Sequence, residues 1–285
     1  MASENVITLH FLFSDSVQTM ELAWLWILVV AGIAVALLFP IVAGLPRVDI
    51  PRQPEPDEGF DDRATGAGYA EIQDRLEFRS IRRTVVDHVV NIIKKSALAK
   101  PLRIIDLGCG TGHLLKDLHD EIGSLGWDVS LHGIDIGAAS IRECKEYLSR
   151  AGLRGIDIKE GDGAQMPVPD STMDIVIASL SMHHWSKPET VLAEIHRVLR
   201  PGGRMVIFDL RRDARKFFHH AFNHWFTPRM PEPLKSAGDP YRSMLASYTP
   251  PEIDAMLKRT PWARERVSIS PRSIALFVDG LKALS

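Results

Sequence analysis

The sequence predicts an α/β fold in which helices cover both faces of a mostly parallel sheet. From about residue 100 onward, short apolar runs typical of strands alternate with amphipathic segments typical of helices. Two last strand-like runs, VSISP and SIALFVD, lie close together and predict a closing antiparallel pair. The 285 residues are 45% hydrophobic and 25% charged, which excludes collagen-like, low-complexity and wholly disordered chains.

The predicted elements follow one another in a regular order. The first five strands have the sequences LRIIDL, VSLHGIDI, IDIKEGD, DIVIASL and RMVIFDL. Before the first strand, apolar residues at helical spacing predict a helix from Tyr69 to about Lys100. Later helices are predicted from near His113, over 138–151, at a capping box of Ser186 and Glu189, and at a second capping box of Thr249 and Glu252.

The N-terminal region is strongly apolar. No charged residue occurs between Leu22 and Pro46, and a membrane-spanning helix needs roughly 20 apolar residues. Because basic residues follow this run and none precedes it, we expect a single membrane span with the rest of the chain in the cytoplasm. A hydrophobic helix packed on a soluble domain is the alternative. The predicted division is a tail (1–21), a transmembrane helix (22–46), an exposed linker (47–68) and a globular domain (69–285).

Charge and cysteine content exclude two further classes of protein. The formal net charge is -2, so the chain has no overall positive field, and no nucleic-acid partner is expected. The two cysteines are too few for a disulfide framework and fit a reducing compartment. Nothing in the sequence indicates the oligomeric state.

A glycine-rich loop, DLGCGTG, follows the first predicted strand. Glycines let the backbone turn sharply and approach a ligand closely. The spacing is G-x-G-x-G, and Asp106 two residues before it would repel the pyrophosphate of a dinucleotide, which disfavours a dehydrogenase. Asp106 can instead accept hydrogen bonds from an ammonium group. Asp135 and Asp162 end the next two strands, where they can accept from ribose hydroxyls and from an adenine amino group.

Five segments together carry a family resemblance. They are DLGCGTG (106–112), GIDI (133–136), GDGAQMPVPDSTMD (161–174), SLSMHHW (179–185) and VLRPGGRMVIFDL (198–210). Over roughly residues 70–280 the chain resembles the class I S-adenosylmethionine-dependent methyltransferases, especially the methyltransferase type 11 branch that includes ubiquinone and menaquinone biosynthesis enzymes. The resemblance implies a Rossmann-like, doubly wound, mostly parallel seven-stranded sheet, and S-adenosyl-L-methionine as cofactor.

The resemblance also implies roles for individual residues. The methionine half of the cofactor would lie against Gly108, Cys109, Gly110 and Gly112. Asp135 would bind the ribose, and Ile136 would pack on the adenine. Asp162 and Gly163 would hold the adenine edge, and Ser179 would lie near the sulfonium.

The residues on the acceptor side are less specific. His183 and His184 follow the fourth strand, at the edge where such sheets bind ligands, and either is a candidate base. The alternative is that they pack against Trp185 and hold the loop. Asp209, at the end of the fifth strand, is a weaker candidate. Residues 211–226 predict one helix with an aromatic stripe and basic flanks, which either lies in a membrane interface or covers the core.

A metal site is not expected, because no cysteine or acid near His220 and His224 completes a ligand set. The predicted function is methyl transfer to a small, lipophilic acceptor at the membrane surface. Two alternatives remain open: a tethered methyltransferase that acts on a soluble metabolite or a protein, and a non-catalytic scaffold that binds the cofactor.

Overall fold

The computed structural model describes residues 44–55, 63–96, 98 and 100–284. Its α-helices, in chain order, are α1 (Arg63–Ile72), α2 (Leu76–Lys95), α3 (His113–Ser124), α4 (Ala138–Arg150), α5 (Pro188–Val198), α6 (Lys216–Ala221), α7 (Glu232–Ala237), α8 (Tyr241–Ala246) and α9 (Pro250–Lys258). Its strands are β1 (Leu102–Leu107), β2 (Val129–Asp135), β3 (Asp157–Glu160), β4 (Met173–Ser179), β5 (Leu199–Leu210), β6 (Arg266–Pro271) and β7 (Ala275–Leu281).

The seven strands form one sheet in the order β3-β2-β1-β4-β5-β7-β6. Strands β1 to β5 pair in parallel, and β7 pairs antiparallel with both β5 and β6. The predicted mostly parallel sheet with a C-terminal antiparallel pair is therefore confirmed. The chain winds outward in opposite directions from β1, so the carboxyl ends of β1 and β4 flank the switch point where open α/β sheets bind ligands.

Helices bury both faces of the sheet, as the alternating pattern predicts. On one face, Val85 and Val89 of α2 and Leu115 of α3 pack with the sheet residue Ile104. On the other face, Leu192 of α5 belongs to a second cluster, and its carbonyl accepts a 2.8 Å hydrogen bond from the Trp262 indole. Apolar burial of this kind on two faces is the main term that stabilises an α/β domain.

The predicted transmembrane helix and N-terminal tail lie outside the described residues, apart from residues 44–46. Within the part of the chain that the structure describes, no helix is both long enough and apolar enough to span a bilayer.

Residues 47–55, predicted as part of an exposed linker, instead form a strap along the domain. The Val48 N–H donates to the carbonyl of Ala214 at 3.2 Å, and the Gln53 N–H donates to the carbonyl of Leu245 at 3.1 Å. Arg52 donates to the carbonyl of Ala246 at 2.6 Å. Although the proline-rich and acidic composition predicts a linker here, these hydrogen bonds hold residues 47–55 against the domain. We call residues 47–55 the strap.

Two predicted helix boundaries also differ from the structure. The helix predicted from Tyr69 to Lys100 is two helices, α1 and α2, separated by a turn at residues 73–75. The prediction of a capping box at Ser186 and Glu189 is wrong, since α5 begins at Pro188 and the side chain of the residue before it makes no capping hydrogen bond. Glu189 instead pairs with Arg259.

Residues 211–226 do not form the single helix that was predicted. Only the six residues of α6 are α-helical, and a π-helical turn follows over Phe222–Phe226. Arg211 and Arg212, expected on an exposed basic flank, are buried and paired with acidic side chains at 2.6 Å. Because these ion pairs hold the two guanidinium groups inside the fold, neither group can contact lipid phosphates.

The second predicted capping box is confirmed and gives a stability prediction. At the start of α9, both the N–H and the hydroxyl of Thr249 donate to Glu252, at 2.8 and 2.9 Å. Loss of an N-cap side chain costs about 1 kcal/mol, so Thr249→Ala should lower the free energy of unfolding by that amount in a urea titration. Thr84→Ala is the control, because the Thr84 hydroxyl bonds only to the carbonyl one turn earlier in α2 and its loss should leave stability within error.

Candidate functional site

A cavity lies at the carboxyl edge of the sheet, beside the switch point between β1 and β4. It contains about 1250 Å³ of empty space, part of which is open to solvent. Its walls come from the glycine-rich loop, from the ends of β2, β3 and β4, and from α1 and α2. Most of the residues predicted to bind the cofactor line it: Asp106, Gly108, Cys109, Gly110, Asp135, Ile136, Asp162, Gly163 and Ser179.

Two glycines of the loop have different tasks. Gly108 has a φ of +77°, and a Cβ on it would lie 2.7 Å from the Cβ of Ser181, so no side chain fits there. Gly112 differs from the prediction, because it caps α3 and packs against α4 rather than lining the cavity. A Cβ on Gly112 would lie 2.6 Å from the Sγ of Cys144. This glycine therefore permits close helix packing.

Two carboxyl groups, from Asp106 and Asp135, lie in the cavity at the ends of β1 and β2. Asp106 is 2% exposed, and its Oδ1 has no hydrogen-bond partner among the described residues. Burial, helped by the negative charge of Asp135, raises the pKa of the Asp106 carboxyl well above its usual value. Asp135 accepts 2.8 Å hydrogen bonds from the N–H groups of Gly110 and Gly137, but burial outweighs these bonds and raises its pKa as well. Both groups would gain from a ligand that donates hydrogen bonds.

The remaining predicted cofactor residues line the cavity beyond Asp135. Ile136 is 39% exposed, an unusual exposure for a large apolar side chain directly after a buried strand. Asp162 caps the short 3₁₀ turn that begins at Gly163, accepting a 2.7 Å hydrogen bond from the N–H of Ala164. Ser179 is half-buried at the end of β4. These positions form an apolar platform with polar groups at its rim.

The two candidate bases have different surroundings. His183 is 3% exposed and does not line the cavity. Its Nδ1 lies 2.7 Å from Oδ1 of Asp209, and its N–H donates to the other oxygen of that carboxylate at 2.9 Å. Although burial acts against a charged imidazole, the adjacent Asp209 carboxylate outweighs it and raises the pKa of His183. His183 therefore fits a structural ion pair with Asp209 better than a base at the cavity.

His184 is the candidate base that lines the cavity. Its Nδ1 lies 2.7 Å from Oε2 of Glu55, a residue of the strap. The two side chains are 20% and 10% exposed, so water screens their interaction only in part. A histidine held by a carboxylate beside a ligand cavity has the arrangement of a general base.

Comparisons with known proteins agree with this site. A sequence model described as "Methyltransferase domain" matches residues 105–207, from β1 into β5. A demethylmenaquinone methyltransferase of Lactococcus lactis is 30% identical over 130 residues, which are 46% of this chain and 50% of the relative. Residues 105–207 are thus a methyltransferase domain, and S-adenosylmethionine is its cofactor.

Two further relatives resemble the methyltransferase domain. A ubiquinone/menaquinone biosynthesis C-methyltransferase of Pseudomonas savastanoi is 25% identical over 159 residues, 54% of this chain and 61% of the relative. A sterol 4-C-methyltransferase of Caenorhabditis elegans is 26% identical over 150 residues, 52% of this chain and 43% of the relative. The chain thus spans about half the length of the curated relatives that it matches.

Solved structures share the fold of the methyltransferase domain. A SAM-dependent methyltransferase from Aquifex aeolicus superposes with a TM-score of 0.50 at 20% identity, covering 67% of this chain and 87% of that one. The plantazolicin methyltransferase BpumL, solved with a desmethyl substrate analogue and SAH, superposes with a TM-score of 0.57 at 15% identity, covering 78% and 95%.

The cavity of the methyltransferase domain fits the cofactor chemically. The unpartnered Oδ1 of Asp106 can accept a hydrogen bond from the amino-acid ammonium group, which would satisfy a buried acceptor. The absence of a side chain at Gly108 lets the ligand approach the loop backbone. Asp135 keeps acceptor capacity for hydroxyl groups, because a carboxylate accepts about four hydrogen bonds and the structure gives it two.

Sequence reasoning missed several residues that line the cavity. Tyr69 of α1, Gln73 of the turn after it and Arg82 of α2 form one of its walls. Arg82 is held by the carboxylate of Asp117 and by both oxygens of Gln73. The signal was the charge of Arg82 on the otherwise apolar face of a predicted helix, where burial requires a partner. No sequence feature indicated that Glu55 belongs to the site, because the segment that contains it resembled a linker.

Proposed function

We propose that this chain transfers the methyl group of S-adenosylmethionine to a small lipophilic acceptor at a membrane surface. The observation that carries the proposal is the cavity itself, which combines the cofactor-type carboxylates Asp106, Asp135 and Asp162 with the base candidate His184. The bound cofactor supplies a methyl group that is activated by its positively charged sulfur. The protein then has to bind the acceptor, align it with the methyl group and exclude water from the site. Alignment alone lowers the activation barrier by up to roughly 7–11 kcal/mol.

Each cavity residue has a proposed task in this function. Asp106 holds the ammonium group, and Asp135 holds the ribose hydroxyls. Ile136 supports the adenine ring, while Asp162 and Gly163 fix its edge. Ser179 ends β4 and Ser181 follows it at the switch point, where the reacting end of the ligand lies in sheets of this type. His184 accepts the proton that the acceptor loses.

The lipophilic acceptor is proposed from the relatives' names and from the surface. The relatives are named for demethylmenaquinone, ubiquinone/menaquinone and sterol, all of which are apolar molecules. Trp225 and Phe226 are 48% and 37% exposed, and we call this pair the aromatic patch. Arg229 donates to the carbonyl of Trp225, and Arg75 donates to the carbonyl of Arg229. Exposed aromatic rings with neighbouring arginines are typical of surfaces that touch a bilayer.

Arg229 and Arg75 link the aromatic patch to the start of α2, one of the helices that line the cavity. The apolar run at residues 22–46 is the proposed single-pass anchor, with the domain on the cytoplasmic side, where S-adenosylmethionine is made. In this arrangement an acceptor dissolved in the bilayer reaches the cavity without crossing water.

The test compares two acceptors in the full chain reconstituted in vesicles. One is a demethylated menaquinol with a long isoprenoid tail, and the other is its short-chain, water-soluble analogue. With Trp225 and Phe226 both changed to serine, turnover of the long-chain acceptor should fall roughly tenfold, because two aromatic side chains in an interface contribute on the order of 1–2 kcal/mol. Turnover of the short-chain analogue should not change.

Leu284→Ser is the matched control for this test, because Leu284 is 84% exposed and lies near the C-terminus. It should leave both rates unchanged. Equal losses on both acceptors would show that the aromatic patch supports the fold rather than membrane access. Turnover of soluble acceptors alone would favour the tethered enzyme that acts on a soluble metabolite.

A further inference from the structure

We propose that the strap completes the acceptor side of the site, with Glu55 as the positioning residue that orients His184 as a base. The inference rests on the proposed methyl transfer and narrows its acceptor. The acceptor would carry an acidic hydroxyl, such as that of a phenol or a hydroquinone, because an oriented base speeds transfer to a group that must lose a proton.

The contacts of Glu55 place it between two elements of the domain. Its Oε2 lies 2.7 Å from Nδ1 of His184, and its Oε1 accepts a 3.2 Å hydrogen bond from the hydroxyl of Ser243 in α8. Both oxygens of the carboxylate therefore have a defined partner. Since the Glu55 side chain is only 10% exposed, its position is set by these partners rather than by solvent.

Arg52, three residues earlier, anchors the strap at the same place. Its Nη2 donates to the carbonyl of His183 at 2.9 Å, and its Nε donates to the carbonyl of Ala246 at 2.6 Å. Its guanidinium lies 4.0 Å from the centre of the Tyr248 ring. These three contacts fix the backbone next to the histidine turn, so the strap holds Glu55 and the turn that carries His184 together.

The charges around the pair keep Glu55 ionised. Burial acts against ionisation, but the hydrogen bond from His184 and the nearby imidazole of His183 outweigh it and lower the pKa of Glu55. Asp239, the other acid facing the pair, has a raised pKa because it is buried and lies close to the negative charge of Glu55. Asp135 faces His184 from the cofactor side. The arrangement favours one anion, Glu55, in contact with His184.

This pairing determines what His184 can do. The Glu55 carboxylate, 2.7 Å from Nδ1, favours a proton on that nitrogen, so Nε2 is the basic nitrogen in this proposal. With a hydroquinone acceptor, Nε2 takes the hydroxyl proton, and the electron pair shifts through the ring to the carbon that bonds the methyl group. The methyl–sulfur bond breaks and S-adenosylhomocysteine leaves. The hydrogen of that carbon then returns to the oxygen as a proton, so one proton in total remains on His184, as an imidazolium beside Glu55.

The test uses the full chain with the short-chain demethylated menaquinol as acceptor. Glu55→Gln should lower kcat roughly 10–100-fold and leave KM for S-adenosylmethionine unchanged. His184→Asn should lower kcat by more, roughly 100–10,000-fold, because it removes the base itself. Adding Glu55→Gln to His184→Asn should cost nothing more, because the carboxylate acts through the imidazole. Glu55→Asp should restore part of the rate.

A spectroscopic readout separates positioning from mere structural support. In ¹⁵N spectra of histidine-labelled protein, the Nδ1–H form of His184 should dominate in the wild type and decline in Glu55→Gln. Glu71→Gln is the control, since Glu71 is exposed on α1. Its rate and spectra should match those of the wild type.

The results of these experiments distinguish a positioning role of Glu55 from a failure of the proposed function and from a metal site. If Glu55→Gln turns over like Glu71→Gln, the positioning role is overturned while the methyl transfer itself stands. If the wild type transfers no methyl group, the proposed function fails, and the Nδ1–H signal decides whether the pair exists. The ligand atoms of Glu55, His183 and His184 lie within 4.8 Å of one another, which also suits a divalent cation. Activity that is lost with EDTA and restored with Zn²⁺ would overturn the proton-transfer role in favour of a metal site.

Discussion

Replacing Asp135 by alanine is expected to cause the largest loss of cofactor binding. The proposed ligand places two ribose hydroxyls on this carboxylate, and a hydrogen bond to a charged group contributes about 1.5–3 kcal/mol. Losing both should weaken the binding of S-adenosylhomocysteine roughly 100- to 10,000-fold in a calorimetric titration of the full chain. Asp135→Asn should lose less, because the amide keeps one accepting oxygen.

Thermal unfolding distinguishes lost binding from lost structure in these variants. The Asp135 carboxylate also accepts from the N–H groups of Gly110 and Gly137, so its removal loosens the loop to some extent. Asp254→Ala is the matched control, since this exposed carboxylate in α9 pairs only with Lys258 one turn away. A folded Asp135→Ala protein that binds the ligand as tightly as Asp254→Ala does would exclude Asp135 from the ribose site.

The fold and the cofactor side could be predicted from the sequence because both are encoded locally. The central strands are largely apolar, and β1, β2 and β3 each end at or beside a glycine or a carboxylate. Asp106, Asp135 and Asp162 come together only because parallel strands end at one edge of the sheet. Once the alternation of strands and helices predicts a parallel sheet, this convergence follows without knowledge of any distance.

The acceptor side could not be predicted to the same depth, because long-range contacts define it. His183 and His184 are adjacent in sequence, yet the 3₁₀ turn that holds them buries the first against Asp209 and turns the second towards the cavity. Neither a spacing nor a composition signal separates two neighbouring histidines. Glu55 is 129 residues before His184 in the chain, and only the path of the strap brings the two together.

The same long-range contacts explain why the basic flank of residues 211–226 was misjudged. The pattern of arginines and aromatics alone is equally typical of an interfacial helix and of a helix that covers the core. Arg212 donates to the carbonyls of Ile50 and Ser247 and also pairs with Glu252. Arg212 therefore links the strap to α9, and its positive charge is paired within the fold. The exposed large apolar side chains of the segment are the two of the aromatic patch.

Asp106→Asn should change stability and binding in opposite directions. Without ligand, the buried carboxyl of Asp106 is an acid whose pKa is raised by burial and by Asp135, and its Oδ1 has no partner among the described residues. The folded protein binds this proton more tightly than the unfolded chain does. The stabilisation that this proton gives the folded protein is therefore fully present below the ordinary pKa of about 3.9. It is lost as the pH rises through the pKa of Asp106 in the folded state. At neutral pH the neutral amide should raise the melting temperature of the ligand-free protein.

Binding should respond to Asp106→Asn with the opposite sign. The cationic ammonium of S-adenosylhomocysteine favours the ionised carboxylate, so its loss should weaken binding roughly 10- to 150-fold, the equivalent of about 1.5–3 kcal/mol. In the wild type the affinity should rise with pH as Asp106 loses its proton, and this rise should vanish in the variant. Asp128→Asn, at an exposed carboxylate before β2, should change neither quantity. A variant that loses both stability and affinity would show that Asp106 supports the fold. A gain in stability together with a loss of affinity would show that the Asp106 carboxyl group destabilises the ligand-free protein and binds the positive charge of the ligand.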